Sequence, residues 1–158
     1  MPVNTSQFSE SCTVHGLGGT EALGKLIASA IAAGDTIALE GDLGAGKTTL
    51  ARAILHELGV EGEVPSPSFT LVQNYETPRL RIAHCDFYRI ESPTEVDELG
   101  LEDALQDGAI LIEWPERAPD RIPADALRIR IEIVGEEKRN VQFSGPGRWA
   151  RLLSTGKA

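Results

Sequence analysis

Between residues 20 and 34 the apolar side chains fall at Leu23, Leu26, Ile27, Ala30 and Ile31, mostly three or four positions apart. One face of an amphipathic helix has this spacing. Thr20 stands where a capping hydroxyl is wanted, Glu21 suits the positive end of the helix dipole, and Gly34 can end the helix. The period then changes. "TIALEG" (36–41) is a short apolar run bounded by Gly34 and Gly41 and predicts a buried strand. "KTTLARAILHELG" (47–59) returns to helical spacing, with Leu50, Ala53, Ile54 and Leu58 on one face and Gly59 as its stop. Upstream, "CTVHGL" (12–17) predicts a short strand, and the polar residues 1–10 are expected to be loose.

Downstream, "VEGEVPSPSF" (60–69) contains Gly62, Pro65 and Pro67 and predicts a loop. "TLVQNYE" (70–76) and "LRIAHCDFY" (80–88) predict two strands, antiparallel because their connection is hairpin-short. "SPTEVDELGLEDALQDG" (92–108) predicts one or two short acidic helices whose charges form a solvated face. "AILIEW" (109–114) predicts another buried strand. "LRIRIEIVG" (127–135) and "RNVQFSG" (139–145) alternate apolar and polar residues across "EEK", as a hairpin with one wet face does. "GRWARLL" (147–153) can form a closing helical turn.

The candidate chemistry lies between the first buried strand and the second helix. Gly41-Asp42-Leu43-Gly44-Ala45-Gly46-Lys47-Thr48 satisfies G-x-x-x-x-G-K-[ST]. Glycines let the backbone wrap a phosphate with no Cβ in the way. Successive amide N–H groups form an anion nest, and the following helix adds its positive end. Lys47 can reach the outer phosphates, the Thr48 hydroxyl can ligate Mg²⁺, and Thr49 is a further phosphate donor at the helix start. The strand leading in and the helix leading out are the context this mechanism requires. Together the elements predict an α/β fold: a P-loop NTPase core, its sheet mostly parallel and flanked by helices, with antiparallel hairpin additions.

A phosphate loop also needs an acid for the metal and a group that positions the attacking atom. Two acids end apolar runs: Asp86 after "LRIAHC" and Glu113 after "AILI". Either can take the metal role, and for each the plainer alternative is a surface or capping carboxylate. Ser66, Ser68 and Thr70 lie in a segment that could order around a terminal phosphate as switch loops do, or simply be a proline-rich connector.

Composition narrows the partners. The 158 residues carry a net charge of −9, with 41% apolar and 25% charged residues. That suits a soluble single domain, 1–158, and argues against free-standing nucleic-acid binding, which needs surplus Lys and Arg. Cys12 and Cys85 have no metal-site spacing and read as reduced thiols of a cytoplasmic protein. No secretory leader is evident, and no apolar run approaches the roughly 18 residues of a membrane span.

Taken in order, "GDLGAGKTTL", "SPSFTL", "HCDFYR" (84–89) and "IEWPE" (112–116) give the chain a resemblance to the TsaE (YjeE) family, small bacterial P-loop ATPases of transfer-RNA threonylcarbamoyladenosine synthesis. The likeness covers residues 20–117 or so. The first motif is shared by many ATPases, and the other three in series are more specific. Two departures are visible: Ser68 where the family usually has Thr, and Phe87 where it usually has Leu. The resemblance implies that Lys47, Thr48 and Thr49 bind ATP phosphates and Mg²⁺. It also implies that Asp86 and Glu113 serve the metal and the attacking water, with Glu113 assigned to the metal beside Thr48 and Asp86 to the water. Trp114 would lie beside the nucleotide or be an ordinary core aromatic. His84 would be a structural hydrogen-bonding residue in preference to a proton shuttle. Tyr88 and Arg89 would shape a partner surface, or Arg89 would pair with an acid. The implied partners are TsaB and TsaD, with transfer RNA reached through their complex. Two rival readings are a small-molecule kinase, for which no arginine-rich lid is evident, and an ATP-sensing module that does not hydrolyse. No Asn-Lys-x-Asp segment favours guanine.

Overall fold

The computed structural model describes residues 7–150. Its elements in chain order are β1 (Gln7–His15), α1 (Gly16–Ala30), β2 (Thr36–Gly41), α2 (Lys47–Leu58), β3 (Val72–Glu76), β4 (Arg81–Asp86), α3 (Thr94–Asp97), α4 (Leu101–Asp107), β5 (Gly108–Glu113), β6 (Leu127–Ile133) and β7 (Lys138–Pro146). Two single 3₁₀ turns, Pro115–Arg117 and Pro119–Arg121, join β5 to β6.

The strands form one seven-stranded sheet in the order β1-β7-β6-β2-β5-β4-β3. Its centre is parallel: β2 pairs with β5 and β6, and β5 with β4. The flanks are antiparallel: β3 on β4 at one edge, and β6, β7 and β1 in succession at the other. This is the expected P-loop core with hairpin additions. The additions are broad enough that three of the six pairings are antiparallel.

Alternate residues of the central strands enter different cores, as a period of two demands. Ile37, Leu39 and Leu111 join Leu23 and Ile27 of α1 and Leu50 and Ile54 of α2. Ala38, Ile110, Ile112 and Cys85 join Phe87, Val96 of α3 and Ile122, with Leu101, Ala104 and Leu105 of α4 packed against them. The sheet is therefore covered on both faces, and the fully apolar runs of β2 and β5 follow from that burial.

Three expectations change. The helix α1 begins at Gly16 with no side-chain cap, and Thr20 sits inside it, its hydroxyl donating to the Gly16 carbonyl at 3.4 Å. What starts the helix is tertiary: the Gly16 N–H donates to the Glu137 carbonyl at 2.7 Å, from the β6–β7 turn. At the other end the helix stops at Ala30, before Gly34, and the Arg79 guanidinium of the β3–β4 turn donates to the carbonyls of Ala28 and Ile31. Second, residues 7–10 belong to β1, whose nine positions all pair with β7; residues 1–6 lie outside the described residues. Third, the strands around the loop 60–69 are shorter than expected: Thr70, Leu71, Phe87 and Tyr88 lie outside them, as does Trp114 beyond β5.

Of the closing helical turn, Arg148–Ala150 are helical and the remainder lies outside the described residues. Cys12 and Cys85 form no disulfide. No helix among the described residues is long and apolar enough to cross a membrane.

Candidate functional site

The parallel strands β2, β4 and β5 end side by side, and their carboxyl ends carry Gly41, Asp86 and Glu113. In register, Glu113 faces Leu39 across β2–β5 and Asp86 across β4–β5. Such a carboxyl edge is where open α/β sheets keep their ligands. The loop 42–46 rises from β2 and turns into α2.

Two glycines of the loop are needed for its shape. Gly41 sits at φ 150°, and a Cβ there would meet the Ile131 carbonyl oxygen at 2.6 Å. Gly46 caps α2 at φ 113°, a left-handed conformation that disfavours any side chain. The loop is also braced from behind, where the Arg139 Nε on β7 donates to the Ala45 carbonyl at 2.9 Å.

Lys47 opens α2 and is buried, at 5% exposure. Its amine donates to the carbonyls of Gly41 and Asp42 and lies 3.8 Å from the centre of the Trp114 ring. Burial lowers its affinity for a proton, while the charges of Glu113, Glu116, Asp86 and Asp42 partly restore it. An anion placed in the loop adds to that restoration.

Thr48 Oγ1 donates to Glu113 Oε1 at 2.6 Å, and His84 Nε2 donates to Glu113 Oε2 at 2.7 Å. Glu113 is 2% exposed and His84 wholly buried. Asp86 has looser partners. The Tyr88 N–H donates to Oδ1 at 2.9 Å, and the Ser68 hydroxyl approaches Oδ2 at 3.4 Å. Burial raises the Asp86 pKa above the ordinary carboxylate range; the Tyr88 N–H opposes this and the Glu113 charge adds to it.

These groups line a cleft of about 260 Å³ that includes Leu43, Gly44, Gly46, Lys47, Thr48, Thr49, Ser66, Ser68, Asp86, Tyr88, Glu113 and Trp114. Of the phosphate-loop positions read from the sequence, Gly41, Asp42 and Ala45 fall outside its wall, and His84 lies buried behind it. They shape the loop instead: the Ala45 N–H donates to the Asp42 carbonyl at 3.0 Å, and the Ala45 methyl is in the core. Ser66 and Ser68 share a hydrogen bond at 2.9 Å beside Asp86, whereas Thr70 is exposed and outside the wall.

Trp114 is half-buried at φ 58°, with Tyr88 tilted against it at 4.8 Å and the Arg117 guanidinium 5.2 Å from the Tyr88 ring. Arg89 stacks on the exposed Phe69 ring at 4.4 Å, and no acid among the described residues pairs with it. The sequence offered no signal for Arg139, which lies 94 positions from its partner, or for the cleft-lining Tyr88 ring beyond its place in "HCDFYR".

The donor set fits a hard cation. A threonine hydroxyl and two neighbouring carboxylates are oxygen ligands of the kind Mg²⁺ takes, and positive charge between Asp86 and Glu113 would relieve their repulsion. Among the described residues no group of three or more His, Cys, Asp or Glu is arranged to hold a metal alone. An ion here would take further ligands from phosphate and water, as Mg²⁺ commonly does.

Comparison with known proteins places the chain and its fold. The family model described as "Threonylcarbamoyl adenosine biosynthesis protein TsaE" matches residues 14–141. Relatives named "tRNA threonylcarbamoyladenosine biosynthesis protein TsaE" include that of Rickettsia felis, 41% identical over 76% of this chain and 71% of its own. That of Bacillus subtilis is 36% identical over 85% and 84%, and that of Streptomyces coelicolor 40% identical over 81% and 92%. The crystal structure of Bacillus subtilis YdiB superposes with a TM-score of 0.78 at 30% identity, covering 95% of each chain. The chain belongs to the TsaE family of threonylcarbamoyl adenosine biosynthesis proteins.

Proposed function

We propose that this protein is a Mg²⁺-dependent ATPase that supports threonylcarbamoylation of adenosine in transfer RNA, acting in the cytoplasm on a TsaB–TsaD pair. The observation that carries the reading is the meeting of Thr48, Glu113 and Asp86 at the mouth of the phosphate loop. Backbone N–H groups of the loop and the start of α2 bind the phosphates. Lys47 exchanges its carbonyl partners for the outer phosphate oxygens. Thr48 and Glu113 would hold Mg²⁺, whose charge would offset that of the phosphate oxygens.

Asp86 is the water-positioning group. Among the described residues its Oδ2 has the long Ser68 contact alone, which leaves it able to accept a hydrogen bond from water. Its burial keeps it a better proton acceptor than an exposed aspartate. Trp114 closes the side of the cleft. The exposed Leu43 and Phe69 on neighbouring loops suit a protein partner better than a nucleic acid, as does the net charge of −9.

Titration calorimetry with ATP, with and without Mg²⁺, tests the binding, and a phosphate-release assay tests the chemistry. ATP is expected to bind more tightly with the metal and to yield free phosphate slowly. Failure to bind ATP, or transfer of the phosphoryl group to a small metabolite in place of water, overturns the reading.

A further inference from the structure

We propose that His84 is a positioning residue that sets the carboxylate of Glu113, and through it the metal-binding pair Thr48–Glu113. The inference deepens the ATPase reading above and rests on it. The warrant is geometric. His84 and Asp86 are two apart on β4, so their side chains leave the same face of the sheet. His84 pairs in register with Leu111 on β5, and Glu113 lies two residues beyond Leu111 on that face. His84, Asp86 and Glu113 therefore converge below the phosphate loop.

A carboxylate on a strand end can rotate about its last torsion. Here both oxygens are held: Oε1 by the Thr48 hydroxyl at 2.6 Å and Oε2 by the His84 Nε2–H at 2.7 Å. When Thr48 turns its oxygen toward a metal, its hydrogen bond to Oε1 can loosen, and His84 remains as the constraint on Glu113. The imidazole is an effective constraint because it is wholly buried, and the packing around it limits its rotation. Because the Glu113 carboxylate can only accept, the hydrogen sits on Nε2 and Nδ1 is left as the ring's acceptor nitrogen. Among the described residues, the hydrogen bond the ring makes is the one to Glu113. A histidine retained in an apolar strand for core packing alone would not need its one polar contact aimed at a site carboxylate.

Reach separates a donor role from mere polarity. A Gln amide nitrogen can occupy the place of Nε2, whereas an Asn amide nitrogen is closer to the place of Nδ1. The test measures ADP affinity with and without Mg²⁺ for wild type, His84→Gln, His84→Asn and Thr48→Ala, with thermal melts to check folding. His84→Asn is expected to lose about tenfold or more of the Mg²⁺-dependent gain in affinity, the range in which groups behind metal ligands act. Its metal-free ADP affinity should be unchanged, and His84→Gln should keep most of the gain. A folded His84→Asn with the full gain overturns the proposal, as does a Gln variant no better than Asn. If wild type shows no Mg²⁺-dependent gain, the metal reading and this proposal fall together. If wild type shows the gain and Thr48→Ala loses it while both His84 variants keep it, only the positioning role falls.

Discussion

The Thr48 hydroxyl donates to Glu113 Oε1 at 2.6 Å across 65 positions of sequence. The bond joins the first turn of α2 to the last residue of β5. It places the phosphate loop against the sheet edge in the arrangement a divalent ion needs, with a hydroxyl and a carboxylate converging. Thr48→Ala removes the hydroxyl and leaves the loop backbone in place. ATP affinity in the presence of Mg²⁺ should then fall by about tenfold or more, while metal-free affinity changes little. Equal losses with and without metal, by calorimetry, would show that Thr48 is not a ligand.

Lys47 is held by the carbonyls of Gly41 and Asp42 and by the Trp114 ring. Its charge is disfavoured by burial, so phosphate is a better partner than the neutral groups it now touches. Lys47→Ala should weaken ATP binding by at least about tenfold, or 1.4 kcal/mol. Unchanged affinity in a direct titration would count against the phosphate-loop reading.

Asp86 carries a cost in the unliganded fold. Burial, with the Glu113 charge as a lesser contributor, raises its pKa in the native state. The native protein therefore binds a proton more readily than the unfolded chain. Stability falls as pH rises from the ordinary carboxylate range through the raised native value, and that loss is complete above it. Asp86→Asn should be more stable than wild type at neutral pH. The difference should shrink on acidification through that same window. Thermal melts of both proteins at several pH values check this; a variant less stable than wild type at pH 7 would contradict it.

Much of this site was legible because its central part is contiguous. Strand, loop, lysine and helix occupy residues 36–58, and each neighbour constrains the next. Asp86 and Glu113 were also visible, because each ends an apolar run and parallel strands align their ends. What sequence could not disclose was set by distant contacts. Glu137 starts α1 where Thr20 was the better local cap, since its carbonyl already meets the first N–H of a helix that begins four residues earlier, and the Thr20 hydroxyl points back to the Gly16 carbonyl. The polar composition of residues 1–10 conceals the first part of β1, whose whole length pairs with β7. The braces of the site, His84 on Glu113 and Arg139 on Ala45, span strands with no shared local pattern.

Trp114 lines the cleft with its ring against the Lys47 amine, whereas Trp149 is 1% exposed in the core. They are the chain's two tryptophans. Nucleotide binding that draws Lys47 away should change the fluorescence of Trp114 and leave Trp149 silent. Trp114→Phe should bind nucleotide yet lose the response, since the Lys47 amine stands over the Trp114 ring. A response that survives in that variant would assign the signal to Trp149.

The coupling of hydrolysis to RNA modification is tested by separating binding from turnover. Asp86 and Glu113 face each other at the ends of β4 and β5, 4% and 2% exposed, so their amides fit the same space. Asp86→Asn keeps an oxygen to accept the Tyr88 N–H; Glu113→Gln keeps one to accept from Thr48, and its amide N–H can donate to His84 Nε2 once the ring hydrogen moves to Nδ1. Both variants should fold and bind ATP. What they lose is charge toward the metal in one case and basicity toward water in the other. Each should slow hydrolysis by at least about tenfold, roughly 1.4 kcal/mol of barrier. In a reconstituted assay with TsaB, TsaD and transfer RNA, the variants should be impaired in repeated rounds of threonylcarbamoylation. A kinase would show no dependence on those partners, and a pure ATP sensor would tolerate the loss of hydrolysis. Full multiple-turnover modification by a variant that binds ATP but cannot hydrolyse it would therefore exclude hydrolytic coupling, while leaving the phosphate loop and its ligand in place.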